Sequence, residues 1–152
     1  MLSAYANQND LVVGTSIADR NYSEIEHLIG FFVNTLALRV QIDNSLLMPE
    51  FIKLMSKQVL NAQERQTLPL TKLIEALEIP KDTSKHAIFQ VLFGMHNFSD
   101  DTGFELIETY KPGENLYSVA KFDLSTFMDD SYACIKGMFN YAESLYERTT
   151  ID

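Results

Sequence analysis

The side chains able to move protons or hold a metal are few and scattered. There are three histidines, His27, His86 and His96, and one cysteine, Cys134. Zinc sites gather such ligands at short, repeated spacings, and these four residues form no such set. Cys134, between Tyr132 and Lys136, has no adjacent histidine or aspartate to activate it and reads as an ordinary half-buried thiol in a strand. A single cysteine also excludes an internal disulfide or a Cys-rich metal site and suits the reducing cytosol. The acid pair Asp100-Asp101 lacks the other ligand positions of a calcium loop, so a solvated turn is the simpler reading. The polar residues that stand out are Asn34, Arg39 and Arg20, because each lies in or beside an apolar run.

The elements that carry those three follow from hydrophobic period. Leu11–Ile17 (LVVGTSI) is a β-branched run bounded by polar residues, a buried strand by pattern, and Arg20 follows it. Ser23 caps a short helical stretch, Glu24 to Ile29, with Glu26 at the capping-box position and Gly30 as its stop. From Phe32 the period becomes two. Asn34, Leu36, Leu38, Val40 and Ile42 share one face; Thr35, Ala37, Arg39 and Gln41 share the other. This is a strand with one dry face, and Asn34 lies on it. An amide there must find partners. It either orients a site at an interface or satisfies backbone groups at the start of the strand. Arg39 on the opposite face, and Arg20 after the first strand, either pair with a carboxylate across a domain boundary or form a local ion pair.

Pro49 opens an amphipathic helix over 49–63, with Phe51, Ile52, Met55, Val59 and Ala62 at helical spacing. Pro69 opens a second helix and Pro80 closes it. Ala87–His96 alternates with apolar residues on both faces, as in a central strand. A polar break at 97–103 precedes three more strands, at 104–110, 116–127 and 132–141, with turns at 111–113 and 128–131. The Phe31-Phe32 pair and the methionines Met48 and Met55 are read as core. The order β, short α, β, α, α and then four strands describes an α/β (α+β layered) fold with helices packed on a mixed β-sheet.

Composition limits the partners. The chain has 152 residues, 46% apolar and 22% charged, with 12 Lys+Arg against 21 Asp+Glu and a net charge of −9. That is one domain or a piece of a larger one. Its sign opposes nucleic acid and anionic membranes. No run is long and apolar enough for a membrane span, and the first ten residues show no secretory pattern. A cytoplasmic setting with no nucleic-acid or membrane partner is expected.

One stretch is more specific. Residues 11–39, LVVGTSIADRNYSEIEHLIGFFVNTLALR, closely resemble the C-terminal half of a condensation domain of a nonribosomal peptide synthetase. In that family a strand ends near G-T-P-I-A-x-R-N, followed by I-G-F-F-V-N-T-L-x-L-R. Gly14, Thr15, Ile17, Ala18, Arg20 and Asn21 match the first element; Ile29 to Leu36, Leu38 and Arg39 match the second. Later motifs are weaker but in order. Gln66 and Pro69 remain of H-Q-D-x-P-F-E; Asp82, Ser84, Phe89, Gln90 and Val91 remain of R-D-x-S-R-N-P-L-F-Q-V; Lys121-Phe122-Asp123-Leu124 is similar to A-R-F-D-L. Lys81 and Lys85 replace arginines, which removes bidentate donors and weakens ion pairs expected there.

The resemblance implies a chloramphenicol-acetyltransferase-like lobe, one of two with the active site between them. The catalytic H-H-x-x-x-D-G motif belongs to the N-terminal lobe and is not in this sequence, so residues 1–152 are expected to be the C-terminal lobe alone, ending where the final helix should start and inactive by itself. By resemblance the parent enzyme of this peptide-antibiotic type joins an acyl or peptidyl thioester to an aminoacyl thioester, both carried on phosphopantetheine arms. This lobe would bind no cofactor; the phosphopantetheine sits on the partner carrier proteins. Its role would be tunnel wall and carrier-docking surface, with Asn34, Arg39 and Arg20 as tunnel or lobe-interface candidates and with no catalytic or metal residue. Partners would be the N-terminal lobe and the donor and acceptor carrier proteins, with self-association through the exposed lobe face when alone. Alternatives are a non-catalytic carrier-binding module, a heterocyclization relative, or a coenzyme A-dependent acyltransferase. The run at 29–36 sets the chain apart from epimerization domains.

Overall fold

The computed structural model describes residues 2–20, 22–80, 82, 84–96, 119–130 and 134–151. The chain folds as two compact units, Met1–Leu92 and Phe93–Asp152.

The first unit opens with a one-turn helix, α1 (Leu2–Ala6), which carries too little periodicity to be read from sequence. Asn7 at φ 49°, a left-handed conformation that asparagine tolerates, turns the chain into β1 (Asp10–Ala18). A short helix, α2 (Ser23–Glu26), leads to β2 (Val33–Gln41). β1 runs one residue past the expected 11–17 at each end, and β2 falls one residue short at each end of the pattern from Phe32 to Ile42. They pair antiparallel along their whole length, from Asp10↔Gln41 to Ala18↔Val33. On its other side β1 meets the start of β3 (Val91–His96) in parallel, Gly14 opposite Leu92, so the unit's sheet is mixed.

Two helices lie on β2. In α3 (Met48–Gln63) Pro49 sits in the first turn, and the Glu50 carboxylate accepts the Leu47 N–H at 3.2 Å, satisfying a donor that the helix start leaves open. Phe51, Met55, Gln58 and Ala62 are its half-buried stripe; Ile52 and Met48 point to solvent. The inward face is therefore narrower than expected and has Gln58 where Val59 was expected. Pro69 caps α4 (Leu70–Ala76), and Glu78 at φ 50° ends it before Pro80.

The helix expected over 24–29 is shorter, and its cap differs. Tyr22, extended at φ −123°, occupies the N-cap, Ser23 is already helical, and the helix stops at His27. The Asp19 N–H donates to the Phe32 carbonyl at 2.8 Å, closing the loop that holds this single turn.

The core of this unit is Leu36, Phe89 and Leu92. Phe89, 2% exposed, lies just before β3 because residues 87–90 leave the extended path and turn its ring over Gly14. A Cβ at Gly14 would be driven into that ring, so only glycine fits there. Within β3, Leu92 and Gly94 are buried while Phe93 and Met95 are open. The strand has one dry face rather than the two expected.

In the second unit β4 (Leu124–Asp129) pairs antiparallel with β5 (Lys136–Tyr141), from Leu124↔Tyr141 to Asp129↔Lys136. Leu124, Ser125 and Thr126 are buried, whereas almost every residue of β5 is exposed. A single helical turn, α5 (Arg148–Ile151), follows. β4 starts later than the strand expected at 116–127, since residues 119–123 lie outside any strand, and it runs on through Met128 and Asp129 into the turn expected at 128–131, because these two pair with Gly137 and Lys136; β5 is the later part of the strand expected at 132–141. The strand expected at 104–110, the turns at 97–103 and 111–113, and Asp100-Asp101 lie outside the described residues. Cys134 precedes β5 and is exposed, not half-buried within a strand, because pairing starts only at Lys136.

Candidate functional site

The three candidate residues all belong to the β1–β2 ladder, and its register separates them. Ile17 stands opposite Asn34, and Val12 opposite Arg39. Five residues of strand put Asn34 and Arg39 roughly 17 Å apart along β2. Asn34 and Arg20 therefore share one end of the ladder; Arg39 is at the other.

Asn34 is half-buried under the turn that links α3 to α4. Its Nδ2 donates to the Gln66 carbonyl at 2.6 Å, and its Oδ1 accepts the Thr35 N–H at 2.8 Å. The amide thus fastens β2 to that turn, the structural one of its two roles. One N–H and one lone pair are left over from this inventory. The expected face was right; the partner was invisible, since Gln66 lies thirty-two residues away.

Arg39 forms a fork with Asp10 across the ladder, Nε to Oδ1 at 2.9 Å and Nη2 to Oδ2 at 2.6 Å, and Gln41 Nε2 adds a contact at 3.2 Å. Its carboxylate belongs to this unit. The Arg39 hydrogen bonds, helped by Gln41, hold the Asp10 carboxyl down to about 2. Similar local donors lower Asp43, through the Ser45 hydroxyl and N–H, and Asp82, through those of Ser84. Lys85, where the family has arginine, reaches Asp82 only at 3.7 Å, as a point charge without a fork.

Arg20 does something else. Its Nη1 donates to the Ile25 carbonyl at 2.6 Å, and the guanidinium carbon sits 4.3 Å from the centroid of the Phe32 ring, within cation–π range. With Asp19 N–H to Phe32 C=O, these contacts clamp the loop between β1 and β2. Gly30 completes the arrangement, since a Cβ there would stand 2.7 Å from the Phe32 ring.

The clamp turns the remaining apolar side chains outward. Tyr22, Leu28, Ile29, Phe31 and Val33 are all exposed, Ile29 fully and Phe31 at 90%. Phe31 and Phe32 were both expected in the core; only Phe32 is partly covered. The signal available in sequence was the apolar run 28–33 itself, which has no alternation to give it an inner and an outer face. A groove of about 510 Å³ runs between β2, α3 and α4, walled by Leu36, Leu38, Met55, Ala62 and Leu73. Gln58 also lines it, and its Oε1 is buried without a hydrogen-bond partner among the described residues. Met48 is exposed as well, against expectation.

No group of three or more His, Cys, Asp or Glu among the described residues is arranged to hold a metal ion. His27 and His86 are exposed, and the His96 side chain is outside the description. No described helix is long and apolar enough to cross a membrane.

A mixed sheet with two helices on β2, into which G-F-F-V-N-T-L at residues 30–36 leads, makes the first unit an α/β layer. The condensation-domain family model matches residues 1–152. The chain is 37% identical over 150 residues, 99% of its length, to N-(5-amino-5-carboxypentanoyl)-L-cysteinyl-D-valine synthase of Amycolatopsis lactamdurans. It is 33% identical over 152 residues, its whole length, to bacitracin synthase 3 of Bacillus licheniformis. It spans only 4% and 2% of those two proteins. The X-domain of teicoplanin biosynthesis superposes with a TM-score of 0.82 at 22% identity, over 99% of this chain and 35% of that one. The chain belongs to the condensation-domain family of nonribosomal peptide synthetases.

Proposed function

We propose that this chain is the C-terminal lobe of an amide-forming condensation domain. In that reaction an acceptor amine, held as an aminoacyl thioester on one carrier protein, attacks the carbonyl carbon of a donor thioester on another. The C–N bond forms, the C–S bond breaks, and the proton lost by nitrogen ends on the released phosphopantetheine thiol. The rate gain comes from holding two tethered reactants in line and from stabilising charge at the tetrahedral carbon. The histidine of the H-H-x-x-x-D-G motif does the proton work in the other lobe. This lobe forms the facing tunnel wall and part of the carrier-docking surface, with phosphopantetheine entering only on the carriers. Asn34, through its remaining N–H, and Arg20, through the loop it clamps, act at the lobe boundary; Arg39 stays with Asp10.

The observation that supports this most is the outward-facing trio Ile29, Phe31 and Val33 inside the family's own I-G-F-F-V-N-T-L run. A soluble domain that exposes Ile29, Phe31 and Val33 together has a surface made to be covered. The test is reconstitution. The parent reading frame is searched for H-H-x-x-x-D-G, and the intact domain is given donor and acceptor thioesters on carrier proteins. Amide formation that disappears when the second histidine of that motif is replaced supports the reading. Carrier binding without amide formation would instead make the protein an interaction module.

A further inference from the structure

The inner face of α3 carries one residue that stability alone would not choose. Phe51, Met55, Gln58 and Ala62 follow one another at i, i+4, i+7 and i+11 and form its half-buried stripe. Three of the four are apolar. The fourth, Gln58, lines the groove of about 510 Å³ between β2, α3 and α4, and its Oε1 is buried with no hydrogen-bond partner among the described residues. A buried acceptor left unpaired costs stability. A methionine of similar shape would carry no such cost.

The lining limits what can pair with that oxygen. Leu36, 8% exposed, stands in the wall with Leu38, Met55, Ala62 and Leu73. The longer polar side chains of the lining, Asn61 and Arg65, are exposed, and Arg39 is held by Asp10. Small-molecule sites have volumes of this order and combine apolar walls with a few placed polar groups. A charged ligand group would lose its hydration against the leucines and meet no counter-charge there. A peptide segment would bring a backbone N–H and C=O with each residue, where the groove offers one buried unpaired atom. We propose that this groove binds a small uncharged molecule with an apolar body and an N–H or O–H, which it donates to Gln58 Oε1. The aliphatic walls supply the affinity by burial, and Gln58 fixes the orientation. The site lies between β2 and its helices and does not depend on the amide-forming reading.

The test uses the intact parent condensation domain, carrying carbon-13 at its methionine methyls, and two probes of similar shape. Indole has an N–H; 1-methylindole has none. Met55 lines the groove, and Met138, exposed on β5, is the reference. Both probes are expected to shift the Met55 methyl and leave Met138 in place, with indole binding several-fold tighter. Burial alone predicts the reverse order, because the added methyl favours 1-methylindole by about fourfold. In Gln58→Met, which keeps the side-chain shape and removes the acceptor, the order should reverse to that fourfold. The unliganded variant should melt no lower than the unaltered domain. Tighter binding of 1-methylindole to the unaltered domain overturns the proposal without need of a variant. So does a Met55 methyl that neither probe moves, which would mean that another part of the parent fills the groove. An indole preference that survives Gln58→Met overturns the role of Oε1. A Gln58→Met domain that is destabilised or fails to fold makes the amide a structural group and overturns the proposal as well.

Discussion

The two ends of the β1–β2 ladder each use an arginine, and they use it in opposite ways. At the Asp10 end, Arg39 grips a carboxylate with two short bonds, yet the two side chains remain 66% and 46% exposed. Such a pair is screened by salt and pays the entropy of ordering two side chains. At the Ala18 end, Arg20 takes a backbone carbonyl and an aromatic face, partly out of water. The Asp10 pair has the better ion-pair geometry and the smaller structural consequence. The difference lies in what each contact prevents: losing Arg39 frees two surface side chains, whereas losing Arg20 frees a loop.

The comparison assumes that the ladder between the two ends is rigid, and the largest effect should come from attacking that assumption. Phe89 fills the space over Gly14 at the middle of β1. Phe89→Ala is expected to cost about 3–5 kcal/mol in chemical denaturation, and Gly14→Ala about 1–3 kcal/mol by overpacking against the same ring. If Phe89→Ala leaves stability unchanged, the ends are not held by a common centre and their contrast loses its basis. Arg20→Ala comes next, at about 1–2 kcal/mol, for a charge-assisted bond to a carbonyl with its ring contact. Asn34→Ala should follow at about 1 kcal/mol, because the Gln66 carbonyl loses its donor. Arg39→Ala should be the smallest at physiological salt, where its exposed pair with Asp10 is screened. A midpoint shift for Arg39→Ala equal to that of Arg20→Ala would erase the distinction.

Sequence period carried the regular parts of this picture. Leu11–Ile17 and the alternation from Phe32 to Ile42 found both strands to within a residue at each end and placed Asn34 on the covered face, and Pro49 marked the start of α3 to within a residue. What escaped it depended on closures between distant residues. The Asp19–Phe32 bond closes the loop that holds α2, and Phe31 lies exposed within that loop, although composition alone would bury it. Phe89 leaves the strand pattern because a glycine seventy-five positions earlier leaves room for its ring. A glycine inside the β-branched run of β1 was the available hint of a close approach. Arg20 offered none, since a guanidinium after a strand reads the same whether it meets a carboxylate, a carbonyl or a ring.

Protonation offers the finest separation of the two ends. Asp10 sits in the folded protein at about 2, below its ordinary 3.8, chiefly because Arg39 hydrogen-bonds it and secondarily because Gln41 does. A carboxyl depressed by folding contributes stability that is fully present above its unfolded value and is lost as pH falls through the folded one. The contribution should therefore fade between about pH 4 and pH 2 and be absent below. An NMR titration of the Asp10 carboxyl should give a midpoint near 2 in the unaltered protein. In Arg39→Ala the midpoint should rise toward 3.8 and stop short of it, since Gln41 Nε2 still donates. In Arg20→Ala it should not move, because Arg20 follows Ala18, at the opposite end of the ladder from Asp10. A shift in Arg20→Ala would mean that loosening the loop propagates along β1 to the opposite end, and the two arginines would then have to be treated as one coupled system.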